Sequence, residues 1–351
     1  VQFETELLGA EHPYACPIDR SPLALRGDGF ACGRCGAAYR IEHSVAQLDV
    51  VRNPQAAVFD EQHQTARPLD DVTKSRNVAL AERFLDTLGP GTVFEHKTVL
   101  EIACGSGSLT FGLAHSPRVR SSTIHAFDHS TASLASARSI VAAPPHGNRV
   151  FLSAQDVHAL AFRERSFDIV VGNAVIHHFS DAGNVMGALA RLLRPGGAAV
   201  FAEPFAYGYV IATTILLQSA RLAGVDLREP GPGLGLAAFI AEDVSYRVAH
   251  AHAEGMLERL VDKHLFTTEY IAEVAVRHDL KWRTVTYERS EFYRKFMKRF
   301  LDEYQISHLE VRRIALELYE TAWQHMSASF ADVFPHFKFI VLEPQDSLLG
   351  A

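Results

Sequence analysis

The sequence predicts an α/β protein: a sheet of seven strands, mostly parallel, with helices on both faces. Three observations predict it. From Lys97 onward, short apolar runs alternate with stretches of helical periodicity. A small-residue turn, Ala103-Cys104-Gly105-Ser106-Gly107, stands where the first of those runs meets a helix. The fourth run, Phe167-Asp168-Ile169-Val170-Val171, is apolar at nearly every position, as a strand covered on both faces must be.

Residues 1–54 read as a small module of short strands and turns. Gly27-Asp28-Gly29 separates Leu23-Ala24-Leu25 from Phe30-Ala31 as a turn does, and Cys32-Gly33-Arg34-Cys35-Gly36 reads as a tight knuckle. Residues 55–96 read as mostly helical, with Ala79, Leu80, Phe84 and Leu88 in one apolar stripe. The main domain, 97–351, then carries strands over 98–102, 122–127, 150–153, 167–171 and 198–202. Helices over 109–114, 133–141 and 185–193 separate them. Arg194-Pro195-Gly196-Gly197 is expected to turn the chain into the fifth strand. A helix over 267–278, a strand over 282–287 and a final strand over 337–342 complete the sheet.

Two helical insertions, 205–262 and 291–333, interrupt this later half. In the second, Val311, Ile314, Leu318, Ala322 and Met326 are expected on one face. Insertions after late strands fall on the carboxyl edge of the sheet, where ligands bind, so they are expected to form a lid. Their large apolar residues, such as Ile211, Leu216, Phe239, Met256 and Phe296, suit a sizeable, partly apolar ligand. The stretch 206–224 holds Gln218, Ser219 and Arg221 and reads as a buried helix, not a membrane span.

Composition narrows the function. With 34 basic against 41 acidic residues the net charge is −7, which gives no general attraction to nucleic acid. Three of the four cysteines cluster within the first 35 residues, a usage that suits a reducing compartment and metal binding better than disulfides. Val1-Gln2-Phe3-Glu4 lacks the basic start and apolar run of a signal peptide, so a cytoplasmic protein is expected.

The turn after the first strand decides more. A dinucleotide fingerprint would carry a third glycine, but Ser108-Leu109-Thr110 follows instead, and no phosphate-binding lysine is present. An acid, Glu101, precedes the turn, where a carboxylate can accept from a cationic amino group. Asp128 ends the second strand and can accept both hydroxyls of a ribose. Gln155-Asp156-Val157 follows the third strand, and Asn173 ends the fourth.

The series E-I-A-C-G-S-G, F-D-H-S, A-Q-D-V, F-D-I-V-V-G-N-A-V-I-H-H-F and L-L-R-P-G-G resembles the class I S-adenosylmethionine-dependent methyltransferases, on a Rossmann-like sheet. It is most like the group typified by ubiquinone and menaquinone methyltransferases, over roughly residues 97–205. The resemblance implies that Glu101, Ala103 and Gly105 line the methionine moiety, joined by Ser106 and Gly107. It implies that Asp128, beside His129, holds the ribose, that Asp156 and Val157 hold adenine, and that Asn173 closes the site beside the sulfonium. Ala103 stands where glycine is commoner in the family.

Methyl transfer needs alignment and exclusion of water, and an oxygen nucleophile also gains from a base that titrates near neutrality. His177 and His178 follow the fourth strand on the expected substrate side. Glu203, at the end of the fifth strand, and His264 are further candidates.

Cys16-Pro17-Ile18-Asp19 with Cys32-Gly33-Arg34-Cys35 has the layout of a zinc ribbon, Asp19 standing in place of a fourth cysteine. The segment through Tyr39-Arg40-Ile41 resembles the zinc-ribbon modules found beside some methyltransferases. Cys16, Asp19, Cys32 and Cys35 are candidate ligands of a structural zinc, with His43 as an alternative fourth ligand; the other reading is a ribbon that has lost its metal and folds on its own small core. The leading expectation is S-adenosylmethionine-dependent methylation of a small, partly apolar natural product, quinone or sugar, on oxygen before carbon. Two alternatives stand beside it: an RNA or protein methyltransferase, which the ribbon would serve, and a non-catalytic cofactor-binding scaffold. No nucleic acid or membrane span is expected; the oligomeric state is left open, a homodimer included.

Overall fold

A computed structural model of the chain describes residues 12–48, 69–141, 143–227, 232–249, 262–286, 291–325 and 337–345. The expectations for Met256 and Met326 lie outside these residues.

Seven strands form where the sequence places them: β6 (Thr98–Glu101), β8 (Thr123–Asp128), β9 (Arg149–Ala154), β10 (Phe167–Asn173), β11 (Leu193–Pro204), β12 (Leu280–Thr286) and β13 (Phe337–Pro344). The sheet is larger than that. Four strands of the amino-terminal segment, β1 (Leu23–Arg26), β2 (Gly29–Cys32), β3 (Ala38–Glu42) and β4 (Val45–Gln47), extend it to eleven, in the order β1-β2-β3-β4-β9-β8-β6-β10-β11-β13-β12. The expected seven-stranded sheet is corrected by one contact. β4 pairs in parallel with β9, Val45 opposite Leu152, so the amino-terminal strands continue the main sheet. Two further short strands, β5 (Phe94–Glu95) and β7 (Val119–Arg120), pair apart from it.

From β4 through β11 the strands run parallel, and β13 and β12 close the far edge antiparallel. The strand order reverses between β6 and β10, the place where an open α/β sheet leaves a crevice at its carboxyl edge. Helices cover both faces: α1 (Asp71–Leu88), α2 (Ser108–His115), α3 (Thr131–Ile140), α4 (Ala182–Ala190) and, after the lid, α7 (Thr268–Arg277). One core holds Phe127, Phe162, Phe167 and Phe201, together with Tyr14 and Phe30 of the amino-terminal segment. The other holds Phe84, Leu109, Leu113, Val200 and Val341. At about 25 cal/mol per Å² of apolar surface buried, such side chains drive the collapse.

The lid is built from α5 (Ala206–Leu222), α6 (Ile240–Ala249), α8 (Glu291–Glu303) and α9 (Leu309–His325) around a third core with Leu216, Phe300, Val311 and Ala315. Among the described residues no helix is long and apolar enough to cross a membrane.

Three local expectations shift. In α1 the inward face is Asn77, Ala81, Phe84 and Leu85, and Ala79 is exposed. Gly112 of α2 presses so closely on the Asn77 carbonyl that small residues define this face. In α9 the buried row is Val311, Ala315 and Tyr319, while Ile314 and Leu318 are only half-buried. The spacing of four follows the contact with α5. The expected turn at Arg194–Gly197 lies inside β11 instead. Leu193 pairs with Phe167 and Ala198 with Ile169, so the extra residues are absorbed as a bulge.

Candidate active site

The cofactor end is made by the turns after β6, β8, β9 and β10. Glu101, 3% exposed, ends β6 and accepts a 2.6 Å hydrogen bond from the Thr110 hydroxyl of α2. Burial pushes its carboxyl up to about 8; the nearby charge of Asp128 adds to this and the Thr110 bond opposes it. The chain then turns through Ala103 (φ 44°), Gly105 (φ 51°) and Gly107 (φ 84°), three left-handed residues within five. A Cβ at Gly107 would sit 2.8 Å from that of Ala137, so glycine is required there by packing as well as conformation. At Gly105 a Cβ would meet nothing within 4 Å, which leaves the cleft open beside the turn. Ser106 lies half-buried between them.

Asp128, at the end of β8, ties two turns together. Its Oδ2 accepts from the Gly105 amide and its Oδ1 from the Ser130 amide, both at 2.8 Å. His129 Nδ1 lies 3.8 Å from Asp128 Oδ1. Asp156 caps a short turn by accepting from the His158 amide at 2.8 Å, with Val157 buried beneath it. Asn173 ends β10 with its side chain exposed. These residues therefore share one carboxyl edge, as the strand pairings Glu101–Ala126, Asp128–Ala154 and Asn173–Ala202 require.

Beside it, under the lid, the histidine candidates separate into different environments. Glu203 is fully buried at the end of β11. The amides of Val175 and Ile176 donate to its Oε1 at 3.0 and 2.8 Å, and His177 Nδ1 donates to its Oε2 at 2.6 Å. The other nitrogen of His177 faces Asp262 Oδ1 at 3.4 Å. Burial alone would lower His177, but the Glu203 and Asp262 carboxylates outweigh it and raise it to about 9. His177 is thus a cation held between two acids. Burial opposes ionisation of Asp262, yet His177 and His178 hold its carboxyl well below the usual range.

His178 is the more open of the pair, with 30% of its side chain exposed, and its Nδ1 lies 3.2 Å from Asp262 Oδ1. His264 is 2% exposed; its Nε2 donates to the Phe179 carbonyl at 2.9 Å, and its ring stacks near Phe266 and Tyr270. The segment carrying Asp262 and His264 is sewn to this turn by the Lys263 and Phe266 amides, which donate to the carbonyls of His177 and Pro204. Behind Asp262 stands Arg247 of α6, 2% exposed and 5.1 Å from the Tyr209 ring. Asp243, Glu303 and Asp262 lie 3.5, 3.5 and 3.9 Å from its guanidinium.

Residues 99–197 match the methyltransferase domain family. The chain carries a class I, S-adenosylmethionine-dependent methyltransferase domain. It is 32% identical over 123 residues to the malonyl-[acyl-carrier protein] O-methyltransferase of Halorhodospira halophila, a match covering 35% of this chain and 40% of that one. It is 28% identical over 148 residues to the polyketide synthase-nonribosomal peptide synthetase ACE1 of Pyricularia oryzae, over 40% of this chain and 4% of that one. The chain therefore spans less than half the length of either relative. Among solved structures, Haemonchus contortus phosphoethanolamine N-methyltransferase 2 in complex with S-adenosyl-L-methionine is similar at TM-score 0.40 and 17% identity, covering 83% of this chain and 56% of that one.

At the edge of the methyltransferase domain, Cys16, Asp19, Cys32 and Cys35 bring one donor atom each within 4.8 Å of the others. Cys16 and Cys35 sulfurs are 3.6 Å apart, and Cys32 sulfur is 3.4 Å from Asp19 Oδ2. His43 lies exposed on the β3–β4 turn and is not in this group.

Two residues that the structure brings to the candidate site escaped the sequence reading. Asp262 stands two residues before His264, and an acid beside a histidine candidate was the available signal. Arg247 sits on a helix of ordinary composition, and nothing local marks it.

Proposed function

We propose that the domain transfers the methyl group of S-adenosylmethionine to an oxygen of a small, partly apolar organic molecule of natural-product, quinone or sugar type, with His178 as general base. The carrying observation is the 3.2 Å approach of His178 Nδ1 to Asp262 Oδ1 at the open side of the site. That contact favours the tautomer with its proton on Nδ1 and leaves Nε2 to accept a proton. When bound, S-adenosylmethionine supplies an electrophilic methyl group on a sulfonium.

Glu101 suits the cofactor's amino group, because a cation beside it repays the cost of ionising a buried carboxyl. With S-adenosylmethionine held by Glu101 and Asp128 as methyl donor, His178 Nε2 would accept the proton that the acceptor hydroxyl loses on methylation. Asp262 orients His178. Glu203 and His177 hold Asp262 in turn, and so act as positioning residues. His264, committed to the Phe179 carbonyl, also serves position.

The surroundings favour a neutral hydroxyl over a carboxylate acceptor. Around Arg247 and His177 stand Glu203, Asp243, Asp262 and Glu303, so a further anion would meet repulsion. A carboxylate would also need no base.

For the amino-terminal segment the proposal is a structural zinc on Cys16, Asp19, Cys32 and Cys35. Zinc–sulfur bonds of about 2.3 Å in a tetrahedron put sulfurs about 3.8 Å apart, close to the 3.6 Å between Cys16 and Cys35. The Arg34 and Cys35 amides donate to Cys32 sulfur, which suits a thiolate there.

Methyl-labelled S-adenosylmethionine, incubated with the protein and an extract of its source cells, tests the reading. Label is expected in the small-molecule fraction and is expected to vanish with Asp128→Ala. Label recovered in RNA or protein, or cofactor binding with no transfer to any fraction, would overturn it.

A further inference from the structure

One cavity among the described residues lies far from the cofactor turns. It measures about 330 Å³ and opens at the amino edge of the sheet, where Thr98, Thr123 and Arg149 begin β6, β8 and β9. The cofactor residues stand at the other ends of these strands. From Thr123 to Asp128 is five residue steps, roughly 16 Å at 3.3 Å per step.

Its walls are strongly basic. Arg149, Arg163, Arg165 and Arg194 line it, with Glu164 as the lone acidic lining residue. Arg194 pairs with Asp168 at 2.8 Å, Arg149 donates to the Thr123 hydroxyl and Arg163 to the His12 carbonyl. Arg165 is exposed at the mouth. Two histidines line the same wall. His12 is lowered by burial and by Arg163, and His125 is lowered to about 3 by burial, His12 and Arg149.

The geometry points to a second ligand site here, for a small molecule bearing a phosphate group. Guanidinium groups converging on a polar cavity match phosphate oxygens in shape and charge. The cavity sits at the seam between the amino-terminal segment and the main sheet. His12 and Pro13 form one wall, the Arg163 amide donates to the Pro13 carbonyl, and β9 carries Arg149 while pairing with β4. A bound anion would brace that seam. The basic residues do not lead toward the cofactor edge, which argues for a discrete anion over a nucleic-acid track.

Calorimetry of the full chain with inorganic pyrophosphate and with inorganic phosphate, at ionic strength fixed with sodium chloride, tests this. Saturable binding with Kd below about 1 mM is expected for at least one of the two. Arg149→Gln with Arg165→Gln is expected to weaken it at least about tenfold, since each removes a charge-assisted contact. S-adenosylmethionine binding, measured on the same variant, is expected to stay within about twofold of the parent, which separates loss of the site from loss of the fold. Arg165→Gln alone, at an exposed position, provides the same comparison with less risk to folding. Heat that follows ionic strength without saturating, or binding that survives in the double variant, would overturn the assignment.

Discussion

The two halves of the site are assembled by different means. At the cofactor end each carboxylate is held by the turn it belongs to or by the next turn along the edge: Asp128 by Gly105 and Ser130, Asp156 by His158, Glu101 by Thr110. At the acceptor end, residues far apart in the chain meet. Glu203, His177, Asp262 and Arg247 come from β11, a turn after β10, the irregular segment before α7, and α6. The cofactor end is preset by local backbone geometry. Asp262 and Arg247 reach the acceptor end from the lid, and under the proposed function this is the part through which substrate choice can be altered.

The largest expected effect falls on the long-range half. Glu203→Leu removes one partner of a buried ion pair and leaves the His177 cation facing apolar surface. It should cost about 3–5 kcal/mol, measured by urea unfolding, and loss below about 1 kcal/mol would show that the pair anchors nothing.

Asp128→Ala attacks the local half. It should weaken S-adenosylmethionine by about 100-fold in calorimetry, because it removes a charged acceptor and frees the Gly105 turn. A change of less than about fivefold would remove Asp128 from the cofactor site.

The two halves should also answer pH differently. Glu101, pushed up to about 8, must lose its proton to face a cationic amino group. Cofactor affinity should therefore rise by up to about tenfold per pH unit below 8 and level off above it. Glu101→Gln should abolish the slope. His177 is raised to about 9, so its contribution to stability is full below its ordinary value of 6.5 and is lost as pH rises through 9. Thermal melts between pH 6 and 10 should show that loss, and His177→Gln should flatten it.

The smallest effect is at Ala103, whose φ of 44° suits glycine better. Ala103→Gly should leave stability unchanged or raise it by up to about 1 kcal/mol in denaturant melts. A clear loss would mean the Ala103 methyl group packs against something that the turn needs.

This contrast also explains what could be read from the chain. The strands, their turns, and Glu101, Asp128 and Asp156 were legible because each is encoded within a few residues of apolar run, small-residue turn and acid. Cys16, Asp19, Cys32 and Cys35 were legible as a group for the same reason, spacing within one short segment. The pairing of β4 with β9 was not, since Val45 and Leu152 are brought together by topology and no local pattern announces it. The bulge in β11 read as a turn because Pro195, Gly196 and Gly197 are turn residues wherever they stand. His177 and His178 were visible as a pair, but what sets them apart, the buried contact of His177 with Glu203 and the contact of both with Asp262, joins residues far apart in the chain.

The division is best tested on His178→Asn, by following two quantities on one preparation once an acceptor has been found by label transfer. The account predicts that turnover falls by about 100-fold or more, while the dissociation constant of S-adenosylmethionine stays within about twofold. Turnover within about twofold of the parent would contradict the role of His178 as base, and a matching loss of cofactor affinity would contradict the separation of the two halves.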